Sequence, residues 1–137
     1  MNKVFKTFVL LIFELLNLYP SISYSNEKIR VGLLIPITGE NKNLGQQIIK
    51  STRMALKEIG TEKIEIYLKD TNSDPNKTMK SAIELKEMGI RIIIGPIFYT
   101  SLAYLDEMDG IIFLSLTNKT SNLPKNVISA GINATSQ

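Results

Sequence analysis

The stretch Arg91-Ile92-Ile93-Ile94-Gly95-Pro96 restricts the fold of this chain more than any other. Three successive β-branched residues without a polar interruption suit a strand covered on both faces, as in a parallel sheet with helices above and below. Gly95-Pro96 ends the strand, because proline has no ladder donor and glycine opens unusual backbone angles. Ile97-Phe98-Tyr99-Thr100-Ser101 then lead into a helix-like segment, Leu102 to Met108. The hydroxyls of Thr100 and Ser101 suit either capping of free backbone N–H groups or, with those groups, holding an anion. Buried strand, turn and polar helix start follow one another in the order an open α/β sheet uses to bind small ligands.

The rest of the chain from Ile29 repeats that alternation. Ile29 to Ile35 reads as the first strand, stopped by Pro36 and followed by a polar loop to Asn43. A first helix carries Leu44, Ile48, Ala55, Leu56 and Ile59 on one face and ends at Gly60, which suits a left-handed cap. Ile64 to Lys69 alternates apolar and polar residues and so predicts a half-exposed edge strand. Asp70 to Ser73 is a turn. Asp74-Pro75 then opens a second helix, running to Met88 and closed by Gly89, with Asp as N-cap and Pro at the first position. A short helix over 101–108, a buried strand Ile111 to Leu114, a loop Ser115 to Lys125 and a short strand Val127 to Ala130 complete the order. The polar segment 131–137 reads as the beginning of another helix. A βαβαβαβ order with short joints predicts a parallel sheet with helices on both faces.

Residues 1–25 have the features of an export signal. Lys3 and Lys6 precede the apolar run Phe8 to Leu18, Pro20 breaks it, and Ser23-Tyr24-Ser25 predicts cleavage before Asn26. The run is shorter than the roughly 20 residues of a membrane-spanning helix, so the membrane is met only through this signal. The chain has no His and no Cys, which excludes disulfides, thiolate or imidazole metal sites, and Ser-His-Asp or Cys nucleophiles. The formal charge is +3, spread as Lys alternating with Glu, so no nucleic-acid patch is expected.

Ligands of open parallel sheets lie beyond the carboxyl ends of the strands. Four loops fall there: Pro36 to Gly45, Asp70 to Asp74, Gly95 to Ser101 and Ser115 to Thr120. They bring Thr38, Tyr99, Thr100, Ser101, Thr117 and Thr120 as candidate binding residues, with Asp70, Ser115 and Asn118 nearby. Hydroxyls and backbone amides suit a carboxylate or neutral polar ligand and supply no activated nucleophile, so no enzyme, cofactor or metal is expected. The Gly39 to Gly45 loop fits neither phosphate-binding glycine pattern. Asp70 and Asp74 invite a metal-pair reading, but a turn residue and a helix cap are the simpler uses.

These pieces taken in order resemble a known family. Val31-Gly32-Leu33-Leu34-Ile35-Pro36-Ile37-Thr38-Gly39 with Leu44-Gly45, Asp70 with Asp74-Pro75, Ile94-Gly95-Pro96, Ser115-Leu116-Thr117-Asn118 and the Gly131 to Gln137 ending are similar to the N-terminal lobe of a type I periplasmic binding protein. Branched-chain amino-acid receptors of ABC transporters and the related penicillin-binding-protein activators are the nearest groups. The resemblance implies a truncated Rossmann-like or flavodoxin-like lobe over 26–137, half of a receptor that closes over its ligand at a hinge. It implies that a hydroxyl four residues after the third strand's glycine binds the ligand carboxylate. That place falls on Tyr99, beside Thr100 and Ser101, with further contacts near Thr117 and Thr120. It also implies a periplasmic location, an amino-acid-like ligand and an ABC permease as partner. In the activator reading, the partner is instead a penicillin-binding cell-wall synthase.

Overall fold

The computed structural model describes residues 27–131; the expected leader over 1–25 and the polar segment 132–137 lie outside them. Strands β1 (Ile29–Ile35), β2 (Ile64–Asp70), β3 (Ile92–Ile94), β4 (Ile112–Ser115) and β5 (Val127–Ser129) form one sheet in the order β2-β1-β3-β4-β5. Every neighbouring pair is parallel. This is the flavodoxin-like order, in which the chain switches direction across the sheet between β1 and β3. Two helices, α1 (Lys42–Ile59) and α2 (Pro75–Glu87), supply the first two crossovers.

The helices lie on opposite faces. Adjacent residues of a strand point to opposite sides, and a Cβ on Gly32 would meet the Leu85 side chain of α2. Its neighbour Leu33 shares a small cavity with Ile49, Thr52 and Leu56 of α1. The main core fills the α2 side, where Leu34, Ala82, Leu85, Ile90, Ile93, Leu102, Leu105, Met108, Ile111, Phe113 and Val127 pack together. Helix ends follow the sequence. The carboxylate of Asp74 accepts from Lys77 N–H at 2.7 Å, and Gly60 closes α1 at φ 63° with its N–H on Leu56 O.

Three expectations are corrected. The single helix over 101–108 is instead two 3₁₀ turns, Tyr99–Leu102 and Leu105–Glu107, separated by Tyr104 at φ 66°. The buried apolar residues there are Leu102, Leu105 and Met108; a spacing of three matches a helix with three residues per turn. Neither Thr100 nor Ser101 caps a helix, since the turn starts after Phe98 without a side-chain cap.

The apolar face of α1 is the second correction. Leu44 and Ile59 are exposed and Ala55 with them, while Ile48, Ile49 and Leu56 are half-buried. Eighteen helical residues span about 27 Å and seven strand residues about 23 Å, so the ends of α1 overhang the strand beneath. The third concerns β3 and β4, expected to be buried on both faces. Ile92 is 38% and Ile112 50% exposed on the α1 side, and Ile128 of β5 adds to the same row. The β3–β4 connection lies on the α2 side and the β4–β5 connection holds no helix, so nothing among the described residues covers this half of the sheet.

Candidate functional site

All four loops that leave the strands' carboxyl ends meet one edge of the sheet, because every strand runs the same way. At the β1–β2 end, Asp70 is the organiser. Its Oδ1 accepts from the N–H groups of Ile37 at 2.7 Å, Thr38 at 3.2 Å and Asn72 at 2.9 Å. Its Oδ2 accepts from the Thr38 hydroxyl at 2.6 Å and from the Lys77 ammonium of α2. Burial by itself pushes this carboxyl up, but Lys77, Thr38 and the amides of Asn72 and Ile37 overcome that and hold it well below the usual carboxylate range. Asn41 donates from its amide to Ser73 Oγ at 3.0 Å, which joins the α1 start to the same turn. Gly45 brings α1 close: a Cβ there would stand 1.8 Å from Pro36 O.

At the β3–β4 end the loops are joined mainly by backbone. Gly95 N–H donates to Leu114 O at 2.8 Å, and Leu116 N–H donates to Pro96 O at 3.0 Å. The buried Ser115 hydroxyl donates to the same Pro96 carbonyl at 2.8 Å. Ser129 of β5 reaches Thr117 O at 2.8 Å, and Thr117 Oγ1 accepts from Lys119 N–H at 3.3 Å. These bonds fix the 115–119 loop against Gly95-Pro96, whose peptide bond is cis.

The candidate residues are thus divided. Tyr99 and Thr100 are exposed and line a cleft of about 530 Å³ between the 99–106 and 119–124 segments. Ser101 and Thr117 lie beneath the surface at 2% and 3% exposure. Thr120 is exposed but is not part of the cleft wall. Thr38 stands at the other strand pair, and its one hydroxyl proton goes to Asp70, so it meets a ligand as an acceptor.

Of the cleft residues that escaped the sequence reading, the cation is Lys119. Lys119 lines the same cleft, its Nζ 5.9 Å from the centroid of the Tyr99 ring. Its signal was available, since it is the only Lys or Arg between Arg91 and Lys125. Among the described residues, the ion pairs are Lys69–Glu84 and Lys77–Asp70, so Lys119 carries an uncompensated charge at the rim.

A family model described as periplasmic binding protein matches residues 28–135. The chain belongs to the periplasmic binding protein family. As a binding-protein lobe it is 37% identical over 71 residues to Leu/Ile/Val-binding protein homolog 1 of Brucella abortus, a match covering 47% of this chain and 19% of that protein. An ABC-type branched-chain amino acid transporter protein from Rhodopseudomonas palustris CGA009 shares the fold at TM-score 0.69 and 19% identity, over 80% of this chain and 34% of that one. A solute binding protein of an ABC transporter from Rhodopseudomonas palustris BisB5, solved with 3,4-dihydroxybenzoic acid, matches at TM-score 0.60 and 28% identity. That match covers 66% of this chain and 27% of the other. The chain therefore corresponds to one partial lobe, and its matched stretch spans 19% of that relative's length.

Proposed function

We propose that this lobe binds a small carboxylate at its strand-end rim, without catalysis, for an ABC-type uptake system. The observation that carries the reading is the cleft between the β3 and β4 loops, lined by Tyr99, Thr100 and Lys119. Donors on both sides of one cleft suit an anionic ligand. Ser101 and Thr117 support that cleft from beneath, and Thr38 and Thr120 flank it at the same edge. The names of the similar proteins, for Leu/Ile/Val in one case and an aromatic acid in another, have a carboxylate in common.

Titration of the ¹⁵N-labelled full chain with leucine, isoleucine, valine, benzoate and 3,4-dihydroxybenzoate is expected to move amide resonances of 95–101 and 115–120 first. A single lobe leaves the ligand open to water, so Kd is expected at about 1 mM or weaker. Shifts confined to other segments, or none up to the solubility limit, overturn the reading.

Residues 1–25 act, in the same proposal, as a cleaved leader that delivers the lobe to the periplasm. Mass spectrometry of the exported protein is expected to find Asn26 as the first residue. An intact Met1 to Ser25 segment refutes cleavage.

A further inference from the structure

We infer that the free edge of β2 is self-complementary, and that two copies of this chain pair through it antiparallel, Tyr67 against Tyr67, into one continuous sheet. β2 closes one side of the sheet with seven residues, against three in β5 at the other side. No proline, glycine or bulge interrupts it. Its hydrogen-bonding phase is fixed by β1. Lys63 O accepts from Ile29 N–H at 2.6 Å at one end, and Thr71 N–H donates to Ile35 O at 2.9 Å at the other. Successive residues of a strand turn their backbone groups to opposite sides. Glu65, Tyr67 and Lys69 therefore face β1, while Ile64, Ile66, Leu68 and Asp70 face outward. Asp70 O accepts from the Ser81 hydroxyl at 3.2 Å, so the open row among the described residues is Ile64, Ile66 and Leu68. Such a row is a template for another strand.

The side chains select which strand. An antiparallel copy must set its own outward residues against these, which leaves registers centred on Ile66, Tyr67 or Leu68 near the middle of the strand. Centred on Tyr67, Ile66 meets Leu68 of the second copy in a hydrogen-bonded pair. Glu65 then meets Lys69 of the second copy and the two Tyr67 rings meet each other, in the non-hydrogen-bonded pairs where side chains come closest. Centring on Ile66 opposes Lys63 to Lys69, and centring on Leu68 opposes Ile66 to Asp70. The faces agree too: Tyr67 is in register with Gly32, which faces α2, and Leu68 with Leu33, which faces α1. A two-fold axis normal to the sheet thus joins apolar to apolar on the α1 side and opposite charges on the α2 side. Lys69 already holds Glu84 at 2.6 Å, so the seam extends an existing ion pair. The α1 flank opposes the pairing: Arg53 shares a hollow with Ile66 and Leu68, and Lys50 and Lys57 lie beside Arg53. Salt screens that repulsion, and a weak dimer is the result, with Kd at about 0.1 mM.

Sedimentation equilibrium of the full chain up to 1 mM in physiological salt tests this. Glu65→Lys and Lys69→Glu, each alone, oppose like charges across the seam and are expected to weaken association roughly tenfold. An equimolar mixture of the two restores opposite charges at both positions and should associate about as tightly as wild type. Ile66→Pro removes an outward N–H and leaves the β1 ladder intact, so the chain should fold and stay monomeric. Since the sequence has no Cys, Tyr67→Cys places one thiol at the axis, and oxidation should give a disulfide-linked dimer faster than in Ile112→Cys on the bare β4 face. A wild-type chain monomeric at 1 mM overturns the inference, as does association undiminished in folded Ile66→Pro. A mixture no tighter than its two components overturns the register, and faster cross-linking at Ile112→Cys moves the contact to the other face and overturns the edge pairing. A hexaglutamate peptide that shifts the β2 amides of a monomeric chain assigns the edge to an acidic strand instead, and also overturns it.

Discussion

Asp70→Asn is expected to lower the free energy of unfolding by roughly 3–4 kcal/mol in a urea titration at pH 7. The Asp70 side chain is only 19% exposed and accepts from three backbone amides, one hydroxyl and one ammonium. An amide in its place keeps one acceptor oxygen and turns an NH₂ either toward three backbone N–H groups or toward the Lys77 ammonium, all of which only donate. Lys77→Met removes one of these donors from a side chain 44% exposed and should cost about 1 kcal/mol. The pH dependence separates this from a packing defect. A carboxyl held below its usual 3.8 in the folded protein stabilises it fully above that value, and loses its contribution as pH falls toward the folded pKa. The gap between wild type and Asp70→Asn should therefore be constant from pH 7 to 5 and narrow below about pH 4. A gap unchanged at pH 3 would mean the carboxylate charge is irrelevant to the turn.

The sequence carried the order of elements well because each was marked by local chemistry. Pro36 ends β1, Asp74-Pro75 opens α2, and Gly60 closes α1, all through contacts within a few residues. It misjudged what depends on distant neighbours. The isoleucines of β3 and β4 announce strand, but whether a face is covered depends on where a crossover passes, and Ile92 and Ile112 are left partly bare. Asp70 read as a turn residue because its partners Ile37 and Thr38 are more than thirty residues away. The same limit divided the candidate site. Tyr99 and Thr100 reached the cleft and Lys119 was missed, since hydroxyl type and loop position were legible and the Tyr99–Lys119 approach across two loops was not.

Gly95→Ala should be the most damaging single substitution in the rim, with an expected loss above about 4 kcal/mol. Gly95 sits at φ 107°, outside the range an L side chain adopts readily, and a Cβ would stand 2.2 Å from Leu34 O in the neighbouring strand. Relief requires moving backbone, yet Gly95 N–H holds Leu114 O, while Pro96 O accepts from both Leu116 N–H and Ser115 Oγ. Two other glycines separate the causes. Gly60 is at φ 63° with nothing near its Cβ position, so Gly60→Ala tests backbone strain alone and should cost about 1–2 kcal/mol. Gly45 lies inside α1 with ordinary helical backbone, so Gly45→Ala tests only the 1.8 Å approach to Pro36 O, with an intermediate cost expected because a helix can slide outward. Chemical denaturation of the three variants should rank them Gly95, Gly45, Gly60. If Gly95→Ala is no worse than Gly60→Ala, the β1–β3 crossing is slack, and the wall that places Tyr99 opposite Lys119 is not fixed by the sheet.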